Sequence, residues 1–218
     1  IGYAAFSYCS KLTSITIPSS VTSIGISAFY ECSSLTSINI PSSVTSIKDC
    51  TFYGCDGLTS VTIPSSVTSM GEQAFGYCSS LTSVTIQEGV TEIGNETFSG
   101  CTSLTSIDIP NSVTSIGNNS FYGCSSLTSI DIPDSVTSIG RSAFERCSNL
   151  ASVTIPDSVT SISGNTFHLC SKLTSIRVDE NNQNYSTSED EKVLFNKDKT
   201  TLICYPSVNG DYTIPDSV

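Results

Sequence analysis

Apolar and polar positions along this chain follow one motif that returns every 23 residues. In the unit from Leu12 to Ser34, Leu12, Ile15 and Ile17 are interleaved with Ser14 and Thr16. β-Branched residues at period two predict a strand with one buried face. Pro18 ends it, because proline has no N–H for a ladder and holds the preceding residue extended. Ser19 and Ser20 turn the chain, and Val21 and Ile24 form a second apolar pair. Gly25 follows, at a corner where a positive φ would cost little. Ala28, Phe29 and Cys32 then lie one and three apart, which predicts a single helical or 3₁₀ turn.

The step is kept without a slip by the cysteines at 9, 32, 55, 78, 101, 124, 147 and 170, by a phenylalanine three residues before each and by a leucine three residues after. A fixed period of this length predicts a solenoid, in which no unit buries its apolar face alone and stacked units share one core. The expected fold is a β-rich solenoid with a parallel sheet along one face and short strands or 3₁₀ turns on the other. Residues 1–178 make about eight coils, extending roughly 40 Å at strand spacing. After Val178 the register is lost. Residues 179–213 read as one enlarged coil carrying a β-hairpin, Lys192–Phe195 and Thr201–Tyr205 around Asn196–Lys199. Residues 214–218 begin a further repeat. Neither end shows the polar-faced cap that closes a solenoid, so the chain is expected to be an excerpt of a longer protein.

Charge narrows the partners. The formal net charge is −11, which argues against a nucleic-acid partner and against adsorption to anionic membrane. No apolar run reaches transmembrane length, so no direct membrane insertion is expected of this segment. Eight of the 20 acidic residues follow Val178, and Glu189–Asp190–Glu191 reads as a solvated loop. Ten cysteines suggest disulfides, but equivalent residues in adjacent parallel coils sit ~4.8 Å apart with parallel Cβ vectors, whereas a disulfide needs converging Cβ atoms ~3.5–4.5 Å apart. The eight periodic cysteines are expected as a buried ladder of free thiols; Cys50 and Cys204 stand outside it.

The motif L-x-x-I-x-I-P-x-x-V-x-x-I-G-x-x-A-F-x-x-C-x-x, as in Leu127 through Asn149, closely resembles the BspA-like (Treponema pallidum-type) class of leucine-rich repeats. The likeness covers almost the whole chain, and the Asn-Tyr at Tyr185 and the Val-Leu-Phe-Asn-Lys-Asp at Val193–Asp198 resemble an element recurring in that class. The chain departs from the better-known leucine-rich pattern at its Asn/Cys ladder, where it carries Ser20, Ser43, Ser66, Gly89, Ser112, Ser135 and Ser158. The resemblance implies a cell-surface or secreted protein that adheres to a protein or glycan on host or neighbouring cells.

Catalytic signals are weak. His168, the one histidine, lies two residues before Cys170 and offers a Cys–His pair, but adjacent repeats place ordinary exposed residues at that position and it reads as a surface residue; no nucleophile elbow, phosphate loop or metal motif occurs. No enzyme and no cofactor are expected. Asp108 and Asp131 occupy equivalent strand positions, where their carboxylates would stand side by side with at most weak cation binding. Asn95, Asn118 and Asn184 begin glycosylation sequons. Recognition is expected on the outward strand column Thr16, Asn39, Thr62, Thr85, Asp108, Asp131, Thr154 and Arg177, or on a tyrosine edge formed by Tyr30, Tyr53 and Tyr122. The alternatives are a structural spacer of a longer surface protein and, more remotely, an ice-binding Ser/Thr array.

Overall fold

Equivalent segments of successive repeats stack in parallel as far as Val178 in the computed structural model, which describes residues 1–206 and 212–218. On the first side of the coil, Ser60–Ile63, Ser83–Ile86 and Ser106–Asp108 form one parallel sheet, and Ser152–Ile155 and Ser175–Val178 another. Residues pair with their equivalents one period away, as in Thr62 with Thr85 and Val61 with Val84. The alternation of exposed Ser and Thr with buried Val and Ile follows the pleat. Asp131 departs from expectation, because residues 128–132 are not in a strand. Like charges directly opposite each other weaken pairing, and the sheet breaks where Asp131 would face Asp108. The coils nevertheless remain joined there: Thr128 N–H donates to Thr105 O at 3.2 Å and Ala151 N–H to Thr128 O at 3.3 Å.

The second side carries two-residue strands, Ser46–Ile47, Ser69–Met70, Glu92–Ile93, Ser115–Ile116, Ser138–Ile139 and Ser161–Ile162, also paired in parallel. The third side is not a helical turn; among the described residues the chain has no helix. Ala28 N–H donates to Gly25 O, Tyr30 N–H to Ser27 O and Cys32 N–H to Phe29 O, a run of β-turns. The intervening N–H groups of Ser27, Phe29 and Glu31 reach forward to Asp49, Thr51 and Tyr53 of the next coil. This alternation requires positive φ at two points per coil, neither of them Gly25. One column runs Ala4, Ser27, Cys50, Gln73, Glu96, Asn119, Ser142 and Asn165; the other runs Tyr8, Glu31, Gly54, Tyr77, Gly100, Gly123, Arg146 and Leu169. Cys50 is therefore in register after all, at a turn position. Glycine at the Gly25 corner serves close approach instead: a Cβ on Gly140 would lie 2.5 Å from the carbonyl carbon of Gly117.

Inside the coil run columns of Phe, Cys, Leu, Ile and Val, nearly all without solvent contact. The phenylalanine rings from Phe6 to Phe167 stack with centroids 5.1–5.7 Å apart, within the range for favourable aromatic pairs. Each ladder thiol from Cys32 to Cys170 donates to the phenylalanine carbonyl of the preceding coil, as Cys101 Sγ does to Phe75 O at 3.2 Å, whereas Cys9, in the first coil with no coil before it, is exposed rather than buried. Serines at the Pro-Ser-Ser turn do likewise, Ser66 Oγ to Val44 O at 2.8 Å. The variant turn at Gln87–Gly89 is a clamp on both neighbours. Gln87 Oε1 accepts from Ser65 N–H, and the Glu88 carboxylate accepts from Asn111 and Ser112 N–H.

In the enlarged coil Leu194–Asn196 pairs antiparallel with Leu202–Cys204, and Tyr185–Thr187 adds a third antiparallel strand on the other side of Leu194–Asn196. Val193, Leu194 and Phe195 are buried. Asn182, fully buried, donates both amide protons into the preceding turn, to Pro156 O and Val159 O. The Tyr185 hydroxyl accepts the N–H of Ile162 at 2.7 Å, an edge-strand donor. The acidic run is anchored as well as solvated, since Glu191 O accepts Ile176 N–H and its carboxylate meets Arg177. Enclosure by this coil leaves the Ser175 hydroxyl buried without a partner. The expected bounds of this coil, 179–213, run across residues 207–211, which lie outside the described residues.

Candidate functional site

Two surfaces follow from the register. On the strand face, Thr16, Asn39, Thr62, Thr85, Asp108, Asp131, Thr154 and Arg177 are all exposed. Backbone pairing on the buried sheet fixes Thr85 beside Thr62 and Asp108, and Arg177 beside Thr154, whereas Thr16, Asn39 and Asp131 lie outside the strands. Arg177 is the one cation in this column, and its Nε donates to Glu191 Oε2 at 2.7 Å. That partner, 14 residues away across an irregular insertion, had no periodic signal. Flanking threonines at the start of each strand return their hydroxyls to the preceding coil, as Thr82 Oγ1 does to Thr59 O at 3.0 Å. The polar surface is thus partly self-satisfied and stiff.

On the turn side, Tyr30 and Tyr53 stack face to face with centroids 4.9 Å apart and planes 4° from parallel. Tyr8 meets Tyr30 edge-on at 5.4 Å, and Tyr77 leans onto Tyr53 at 5.3 Å. Burial, then the neighbouring tyrosines and Glu31, push the Tyr30 and Tyr53 phenols up. Tyr122 does not join this stack; its ring carries the Arg146 guanidinium, 5.7 Å from the centroid. The predicted edge is therefore split, with Tyr30 and Tyr53 together and Tyr122 two coils beyond Tyr77. Tyr77 was recognisable only from the exchange of order between Tyr53-Gly54 and Gly76-Tyr77.

Reactive chemistry is muted. All ten cysteines are free thiols. Burial pushes those of Cys55, Cys78, Cys101, Cys124 and Cys147 far up, and that of Cys170 to about 12, away from the thiolate character that makes a cysteine nucleophilic. Cys170 Sγ donates to Phe144 O, so it makes no pair with the exposed His168. His168 instead borders a cavity of about 120 Å³ with Cys204 and Tyr205. Among the described residues, no group of three acidic, cysteine or histidine side chains is placed to hold a metal, and no helix is long and apolar enough to cross a membrane.

The family model for the BspA type leucine rich repeat region matches residues 1–110 and 91–189, in six copies. The chain belongs to the BspA-type leucine-rich repeat family. Solved structures of bacterial repeat proteins agree. A leucine-rich repeat protein from Bacteroides ovatus is 36% identical over 82% of this chain and 54% of its own, with a TM-score of 0.66. The pneumococcal vaccine antigen PcpA is 27% identical over 84% of this chain and 45% of its own, TM-score 0.67. A leucine rich cell surface protein from Faecalibacterium prausnitzii is 29% identical over 81% and 56%, TM-score 0.51. This BspA-type array thus spans about half the length of the structures it matches. No curated protein matches it at a significant level. The family and these neighbours are repeat proteins rather than enzymes.

Proposed function

We propose that this array is a non-enzymatic binding module of a cell-surface or extracellular protein, presenting its strand face to a protein or glycan on a host or neighbouring cell. The observation that carries the reading is the exposed column from Thr16 to Arg177, spaced by the stacked coils and held by a continuous buried core. Solenoids offer such faces as extended interfaces. Two structural neighbours, a cell surface protein and a vaccine antigen, support the location. Thr62, Thr85 and Asp108 lie on consecutive paired strands and form the centre of the proposed contact. The test is a panel of matrix proteins and glycans against the immobilised chain, followed by Thr85→Lys and Asp108→Ala. A partner that loses at least tenfold in affinity to either variant fits the proposal. Partners that all ignore both substitutions, or the lack of any partner, would point to the spacer reading. The serine column on the same face, identical from Ser14 to Ser175, favours that second reading, since it offers no aromatic or arginine anchor.

A further inference from the structure

The turn-side column of rings is missing one rung. Tyr8, Tyr30, Tyr53 and Tyr77 follow one another at 4.9–5.4 Å, close to the spacing of the phenylalanine stack beneath them. In the next coil the column holds Ser99, and in the one after it Tyr122. Between Tyr77 and Tyr122 lies a notch of about 190 Å³, lined also by Glu96, Ser99 and Asn119. Ser99, 3% exposed, is its floor. Gly100 lets Tyr77 settle against the backbone, since a Cβ there would lie 2.7 Å from the ring. Glu96 is fixed at the rim by Gln73, whose Nε2 donates to Oε2 at 2.6 Å. The notch is thus lined by an aromatic ring from each flanking coil and by a carboxylate.

We propose that this notch binds the guanidinium of an arginine on a partner polypeptide. Three observations select that occupant. A planar group of one ring's thickness restores the column, and arginine is the planar cation that stacks on aromatic faces. The carboxylate of Glu96 accepts the fork of N–H donors that a guanidinium presents. The chain already uses this arrangement one rung further on, where Arg146, from the coil beyond, lies over the Tyr122 ring at 5.7 Å from its centroid. A net charge of −11 adds long-range attraction for a basic segment. The site is separate from the strand face, so neither proposal depends on the other.

The test is a titration of the intact chain with N-acetylarginine methylamide, followed by the ring-proton shifts of Tyr77 and Tyr122. The matching lysine, tyrosine and glucose probes are run beside it. A saturable shift with a millimolar constant is expected for arginine, severalfold weaker binding for lysine and weaker still for tyrosine and glucose. Glu96→Gln is expected to weaken arginine binding five- to tenfold, and Ser99→Tyr, which supplies the missing ring, to abolish it. Thr85→Lys on the strand face leaves it unchanged. The proposal is overturned if arginine gives no saturable shift, if tyrosine or glucose binds more tightly, or if arginine binding survives Glu96→Gln at full strength. Should Ser99→Tyr fail to fold, Tyr122→Leu replaces it, with the same loss expected.

Discussion

Alkaline pH should dissolve this array through its core thiols. Cys55, Cys78, Cys101, Cys124 and Cys147 have no solvent contact, and burial raises each thiol far above its ordinary value of 9.0. The folded chain keeps these protons at a pH where the unfolded chain has released them. A raised pKa gives stability that is complete below pH 9 and declines as pH climbs toward the folded value. At pH about 10 the unfolded state gains about 1.4 kcal/mol per thiol, hence about 7 kcal/mol for five. That is comparable with the whole stability of an ordinary domain. Urea unfolding under reducing conditions, compared between neutral pH and pH about 10, should show the midpoint falling steeply. Cys32, Cys170 and Cys204, raised by burial to about 11, 12 and 11, add to the loss, so Cys101→Ala should remove about an eighth of the thiol pH dependence, which separates thiol ionisation from that of tyrosine. A midpoint indifferent to pH over this span, or an unchanged slope in Cys101→Ala, would refute the argument.

Three further outcomes are expected. Phe98, fully buried between Phe75 and Phe121, should cost about 3–5 kcal/mol when replaced by alanine, read from urea unfolding. Tyr185→Phe removes the acceptor of the Ile162 N–H and should cost about 1–3 kcal/mol, with amide hydrogen exchange at Ile162 accelerating before that of the central coils. Gly100→Ala places a Cβ at a φ of +73° and 2.7 Å from the Tyr77 ring. It should destabilise by at least about 1 kcal/mol, and the double variant with Tyr77→Ala should recover the part due to the clash.

The core was legible because it obeys one period: Phe, Cys, Leu, Ile and Val columns fall out of the 23-residue step and face inward in the coils after the first, where Cys9 is exposed. The turns were less so. Ser27, Gln73, Glu96 and Asn119 share a positive φ, yet their side chains have nothing in common that marks it, whereas Gly25 drew attention for a conformation it does not adopt. There the determinant is the forward reach of neighbouring N–H groups to the next coil, a property of the stack rather than of any residue. The strand at Tyr185–Thr187 is short, polar after its first residue and paired across an insertion, so no alternation announced it. On the candidate surfaces, the exposure of the Thr16-to-Arg177 column followed directly from the pleat. The tie between Arg177 and Glu191 and the gap beside Ser99 depend on side-chain reach across coils, which spacing alone does not encode.

The direction of the inter-coil hydrogen bonds makes the stack polar. Along the first side, threonine N–H groups and ladder thiols donate toward the preceding coil, while on the turn side the N–H groups of residues such as Phe29, Phe52 and Phe75 donate toward the following one. The two faces of a coil are therefore complementary to each other, and two such arrays brought together head to tail through coil faces continue the same hydrogen-bond pattern. Association by that route has no closing symmetry and would propagate as a filament. By taking up the Ile162 N–H with a phenol and the Val159 carbonyl with an amide, Tyr185 and Asn182 occupy groups that would otherwise template the next unit.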